Sequence, residues 1–283
     1  MLSFEDKFVS VPSGLKLHAR AYDGGEKTPV ICLHGLTRNV ADFEEVAPKI
    51  AAAGRNVIAL SFRGRGRSEY DPDYLNYHPL TYRDDALAVM DALDMPEAVF
   101  LGTSLGGITT MLVNEAAPER VKAAIINDVG PELAPEGIAR IASYVGKNSG
   151  PAASLEDAAA RIKAINDVAF PNASEGDWLT FARRTFRETD DGWVLDYDPN
   201  VAKALAEVGA APDLWKPFES LKNKPTLIIR GGISDLLSAD IVAKMRGVHP
   251  DFDYAEAPNI GHAPMLTEPA AWEAIETFLQ KID

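Results

Sequence analysis

One cysteine, five histidines and no apolar run of about 18 residues set the first bounds on this 283-residue chain. A single cysteine excludes an intrachain disulfide. Without cysteine pairs at metal-binding spacing, a zinc site built on thiolates is excluded as well. Cys32 lies in Pro29-Val30-Ile31-Cys32-Leu33, where it reads as a small buried hydrophobe rather than a nucleophile. Positive charge is also scarce, with 28 Lys and Arg against 42 Asp and Glu, for a formal net charge of -14. A field of that sign repels nucleic acid and anionic membrane surfaces, which makes them poor partners. The opening Met1-Leu2-Ser3-Phe4-Glu5-Asp6-Lys7 has two acids where a signal peptide needs a basic start and an apolar stretch. A cytoplasmic location is the expectation.

What is present is enough apolar material for a core, 46% of the residues, arranged in two alternating periods. Lys7 to Val11 and Leu15 to Tyr22 alternate apolar with polar residues across Pro-Ser-Gly and read as an antiparallel hairpin. Thr28 to Leu33, Asn56 to Phe62, Ala98 to Gly102, Val121 to Ile126 and Pro225 to Arg230 are short apolar runs, as in strands buried on both faces. Between them lie helical patterns at Val40–Ala53, Thr81–Leu93 and Leu105–Ala117, and Phe252 to Ala257 precedes a closing helix over Pro269–Ile282. Such alternation predicts an α/β fold, with a mostly parallel central sheet and helices on both faces. From Pro131 to Pro217 the pattern turns helical without a convincing strand. This predicts a core of residues 1–130 and 218–283 carrying a helical cap, 131–217.

The chemistry concentrates at the C-terminal ends of the strands. Gly102-Thr103-Ser104-Leu105-Gly106-Gly107 fits G-x-S-x-G between a buried strand and an apolar helix, the context in which that motif presents a nucleophilic serine. The Leu105 N–H would open the helix and face a developing oxyanion. A serine hydroxyl needs a base, and His262, in the loop before the last helix, falls at the same end of the sheet. For the acid that orients it there are two candidates. Asp235, after Arg230-Gly231-Gly232-Ile233-Ser234, is preferred because its glycine turn suits a loop reaching the histidine; Asp128, after the preceding strand, is the rival. His34-Gly35 would supply the second oxyanion donor, the Leu36 N–H. Leu236, Tyr144, Trp178, Phe181 and Trp193 are the candidate pocket residues. Arg183, Arg184 and Arg187 read either as a solvated helix face or as an anchor for a substrate carboxylate.

Together, His34-Gly35-Leu36, Arg63-Gly64-Arg65-Gly66-Arg67-Ser68, Gly102-Thr103-Ser104-Leu105-Gly106, Asp235 and Gly261-His262 resemble the α/β-hydrolase family with a lid inserted after strand six. The resemblance runs from about residue 28 to the end, outside the cap. Relatives often carry Asp where this chain has Ser61, a turn position with little bearing on the chemistry. The resemblance implies a serine hydrolase acting by acyl transfer on a small carboxylic ester or lactone. It implies no cofactor and no metal, and activity that rises with pH as His262 loses its proton. Ser104 argues against dehalogenases and epoxide hydrolases, which use an aspartate nucleophile. Hydrolases of carbon–carbon bonds share the constellation but usually show Gly-Pro-Gly where this chain has Leu36-Thr37-Arg38-Asn39. Proline iminopeptidases typically place tryptophan at Leu105. A non-catalytic small-molecule receptor on the same fold is the alternative from outside enzymology.

Overall fold

The computed structural model describes residues 3–147, 150–208 and 213–282. The chain opens with β1 (Glu5–Ser10) and an 18-residue strand, β2 (Lys16–Leu33). Helix α1 (Val46–Ala52), β3 (Arg55–Leu60), α2 (Pro79–Ala92), β4 (Ala98–Thr103), α3 (Leu105–Ala116) and β5 (Val121–Asn127) complete the first part of the core. Next come α4 (Pro135–Tyr144), α5 (Leu155–Asn166), α6 (Glu175–Thr185), the hairpin β6 (Phe186–Thr189) and β7 (Gly192–Leu195), and α7 (Asn200–Val208). The core then resumes with α8 (Trp215–Ser220), β8 (Thr226–Gly231), α9 (Ala239–Val248), β9 (Asp253–Ala257) and α10 (Pro269–Gln280).

Seven strands form the main sheet, in the order β1-β2-β4-β5-β8-β9 with β3 against β2. The register shows how β3 fits. Its pairs with the first half of β2 run Ala19↔Leu60 to Tyr22↔Val57, in opposite directions, and those with the second half run Val30↔Val57 to Leu33↔Leu60, in the same direction. The two halves of β2 therefore flank β3, and the long strand fills two places in the sheet. Counted that way, β5 is the sixth strand and the cap follows it. The fold is the expected α/β-hydrolase arrangement, a mostly parallel sheet with helices on both faces and an inserted helical cap.

Side-chain alternation divides the core cleanly. Ile31, Leu33, Ile58, Leu60 and Phe100 point to the face covered by α2, where Tyr82, Ala86, Val89 and Met90 are buried. Val30, Cys32, Val57, Val99 and Leu101 point to the other face, against α1 and α10. Cys32 is fully buried there, and desolvation pushes its thiol far up from the usual range.

The cap has its own small core around Ala158, Ile162, Phe170, Trp178, Ala182 and Phe186. Two features of this region differ from the sequence expectation. A hairpin of two four-residue strands, β6–β7, follows α6 in a segment read as purely helical. Leu214 and Phe218, on either side of Pro217, bury with Met111 and Ile228 in the core, so the chain has rejoined it by Leu214. Among the described residues no helix is long and apolar enough to cross a membrane.

Candidate active site

Ser104 sits between β4 and α3 at φ 53°, ψ -114°, a left-handed conformation that costs a non-glycine residue about 1–3 kcal/mol. The flanking glycines permit the turn because nothing larger fits. A Cβ at Gly106 would stand 2.0 Å from the Leu33 carbonyl oxygen, and one at Gly102 would stand 2.3 Å from the Gly106 carbonyl. The turn is fixed from the neighbouring strand, where the Asn127 carbonyl accepts the Ser104 N–H at 2.9 Å. The Asn127 side chain donates to Thr103 Oγ1 at 3.1 Å and to the Pro264 carbonyl at 2.8 Å, tying the serine turn to the histidine loop.

His262 joins the serine to a carboxylate. Its Nε2 lies 2.9 Å from Ser104 Oγ, and its Nδ1 lies 2.8 Å from Asp128 Oδ2. The acid at His262 is thus Asp128 and not Asp235, which corrects the preference drawn from sequence. Asp128 follows β5 at φ 56° and is completely buried. The glycine turn after β8 does reach this site, but it brings donors rather than a carboxylate. The Gly231 N–H donates to Asp128 Oδ1 and the Ser234 hydroxyl to Oδ2, each at 2.8 Å. Asp235 itself turns toward the cap and forms a two-point ion pair with Arg140 of α4, at 2.5 and 2.9 Å. Burial alone would raise the Asp235 pKa, but the Arg140 hydrogen bonds and charge hold it below the usual carboxylate range. Ser234, Asn127 and Arg140 were not singled out from sequence, since no periodicity or spacing marks a polar residue whose partner is more than 20 positions away.

The proposed oxyanion donors flank the serine. Leu105 N–H is the first of α3 and so has no carbonyl within the helix. Leu36 lies one residue past Gly35, where a Cβ would stand 3.8 Å from Ser104 Cβ. His34 braces this turn: its Nδ1 lies 2.7 Å from the Gly35 carbonyl, and its Nε2 accepts the Phe62 N–H at 3.0 Å. Full burial pushes its pKa down to about 3, so it stays neutral.

Ser104 and His262 open into a cavity between core and cap, with about 170 Å³ open to the centres of water-sized molecules. Its apolar wall includes Leu36, Ile141, Ile162, Phe170, Phe181 and Met265, and Tyr144 also lines it. Of the five candidate pocket residues, Tyr144 and Phe181 are therefore on the wall, while Leu236, Trp178 and Trp193 are not. Trp178 is spent on the cap's own core, Trp193 on pairing with Ala152, and Leu236 is buried where Gly137 of α4 packs on its backbone. The basic cluster divides too. Arg184 reaches back to Glu45 of the core at 2.5 Å, Arg187 lies 3.7 Å from Asp196, and Arg183 is exposed; none lines the cavity.

The chain belongs to the α/β-hydrolase fold family, whose model matches residues 28–269. It is 34% identical over 281 residues to the 3-hydroxybutyrate-oligomer hydrolase of Cupriavidus necator, covering 93% of each chain. The 2-(acetamidomethylene)succinate hydrolase of Mesorhizobium japonicum is 26% identical over 233 residues, covering 82% of this chain and 81% of that one. Among solved structures, an α/β hydrolase from Novosphingobium aromaticivorans superposes with a TM-score of 0.93 at 40% identity, covering 99% of each chain. Family and relatives together point to hydrolytic chemistry on small molecules.

Proposed function

We propose that the protein is a serine hydrolase that cleaves small carboxylic esters through an acyl-enzyme, with Ser104 as nucleophile, His262 as base and Asp128 as acid. The observation that carries the reading is the unbroken hydrogen-bonded chain from Ser104 Oγ through His262 to a buried carboxylate. His262 takes the serine proton as Oγ attacks the ester carbonyl, and the imidazolium that forms is stabilised by Asp128. Three donors, from Gly231, Ser234 and His262, satisfy the buried Asp128 carboxylate. The Leu36 and Leu105 amides receive the oxyanion. The alcohol departs with the proton from His262, and water, activated by the same base, frees the acid.

The mostly apolar cavity suits a short aliphatic ester. The Cupriavidus relative, named for 3-hydroxybutyrate oligomers, makes linear esters of hydroxy acids the first substrates to try. In a turnover assay with p-nitrophenyl acetate and the linear dimer of 3-hydroxybutyrate, wild-type protein is expected to cleave at least the activated ester, and Ser104→Ala to lose about 10⁵-fold or more in kcat. A fluorophosphonate should add once to wild type, at Ser104. Folded wild-type protein that neither turns over an ester nor takes the label overturns the reading and favours a receptor.

A further inference from the structure

The cavity wall carries charge that ester cleavage does not use. Among the described residues three cationic side chains line it, Arg38, Lys147 and Arg161, against one carboxylate, Asp42. That is the reverse of the molecule as a whole, whose net charge is -14. Arg38 is largely committed: its Nε lies 3.0 Å from both Asp42 oxygens, it donates to Thr185 Oγ1, and its guanidinium stacks 4.3 Å from the Phe181 ring centroid. Arg161, on α5, is held by Asp157 at 2.9 Å and by the Gly150 carbonyl at 2.8 Å, and its side chain remains 28% exposed. Lys147 differs. It is exposed, it follows α4 by three residues, and no acceptor or carboxylate among the described residues pairs with its ammonium group.

We propose that the cavity selects esters bearing a free carboxylate, which the Lys147 ammonium binds with Arg161 on the adjoining wall. The proposal rests on the serine-hydrolase reading and adds the substrate class to it. Lys147 stands three positions before Gly150, and Arg161 is bonded to Gly150, so both cations belong to one part of the cap rim. An acidic protein repels an anionic substrate at long range, and cations at the cavity offset that within a Debye length of about 8 Å. An unpaired ammonium beside an apolar wall needs only to exchange water for a carboxylate to form a charge-assisted hydrogen bond. In the linear 3-hydroxybutyrate dimer, the Ser104 Oγ–acyl bond forms and the ester C–O bond breaks. The alcohol oxygen of the carboxylate-bearing half takes the proton from His262, and water then releases the second 3-hydroxybutyrate. The carboxylate stays bound until its half leaves as the first 3-hydroxybutyrate, and it does not itself react.

The test compares kcat/KM for the dimer with that for the same dimer whose terminal carboxylate is a primary amide. Wild type is expected to prefer the acid by about tenfold or more. Lys147→Met and Lys147→Glu should reduce that ratio, Glu the more strongly, through KM for the acid, and Lys147→Arg should restore it. Because the Lys147 side chain makes no hydrogen bond or ion pair among the described residues, these variants report on binding. Equal kcat/KM for acid and amide in wild type, or an unchanged ratio in Lys147→Glu, overturns the carboxylate site. If the protein still takes the fluorophosphonate label, the hydrolase reading survives that result; absence of the label removes the reading on which the proposal stands.

Discussion

Ser104 holds a backbone conformation that only its neighbours make tolerable. The strain at φ 53° is offset by the Asn127 carbonyl and by helix α3 starting at the next residue, and it lifts Oγ clear of the sheet toward His262. The carboxylates show how local geometry assigns roles to identical groups. Asp128 and Asp235 both follow core strands at the cavity end of the sheet. Asp128 lies between the ends of β5 and β8 and is completed by three donors; Asp235 is one residue past the donor Ser234 and is taken up by Arg140. A carboxylate already held by a guanidinium at two points is a poor partner for a histidine in its rotation range. The Ser234 hydroxyl further fixes this division, because it also accepts the Leu236 and Leu237 amides and so closes the turn that carries Asp235 away.

Elements matter most where the cap meets the core. The Arg63-Gly64-Arg65-Gly66 stretch is a seat for the cap's return: the Gly66 N–H donates to the Asp196 carbonyl at 2.9 Å and the Asp198 N–H to the Gly64 carbonyl at 2.8 Å. Arg63 anchors that seat by pairing with Asp85 and Asp71 in the core. A second seam touches the histidine directly. Gly261 N–H donates to the Ala169 carbonyl of the cap at 2.6 Å, and a Cβ at Gly261 would meet Ala169 Cα at 2.7 Å and the Ala169 Cβ at 2.8 Å. Gly261→Ala should therefore push the cap and the His262 loop apart, lowering kcat at least tenfold with a smaller change in Tm. A variant with wild-type kcat would mean that the cap does not position the histidine. Much of this level was legible beforehand. Buried strands and the helices between them announce themselves by period, and the glycines around Ser104 by spacing. The β6–β7 hairpin escaped because each strand is only four residues long, although Asp191-Gly192 between short alternating runs is a hairpin signal. Helix α9 was missed because its apolar face, Ile241, Val242 and Met245, is short and interrupted by charge. The choice between Asp128 and Asp235 depended on side-chain direction at two loop residues, and chain order does not encode that.

For the molecule as a whole, buried histidines tie stability to pH. Burial lowers the pKa values of His18, His34 and His249, His18 despite its bond to Asp6, and that of His34 falls to about 3. In the unfolded chain each titrates near its ordinary value of about 6.5. Below that pH the unfolded state binds more protons than the folded one, so stability is full above about pH 6.5 and declines as the pH falls further. Asp85 and Asp196, raised by burial, act in the opposite sense but nearer the carboxylate range. Tm should therefore stay nearly level from pH 7.5 to about pH 6.5 and drop from there to pH 5; a Tm that rises between pH 6.5 and pH 5 contradicts this account. Under the proposed function, one serine is activated through His262 by Asp128. The most direct measurement is the second-order rate of fluorophosphonate labelling, followed by intact mass, for wild type, Asp128→Asn and Asp235→Asn. The account predicts rapid single labelling of wild type, a loss of about 10³- to 10⁴-fold in Asp128→Asn, and a change of less than about tenfold in Asp235→Asn. Slow labelling of Asp235→Asn with Asp128→Asn near wild type would contradict it.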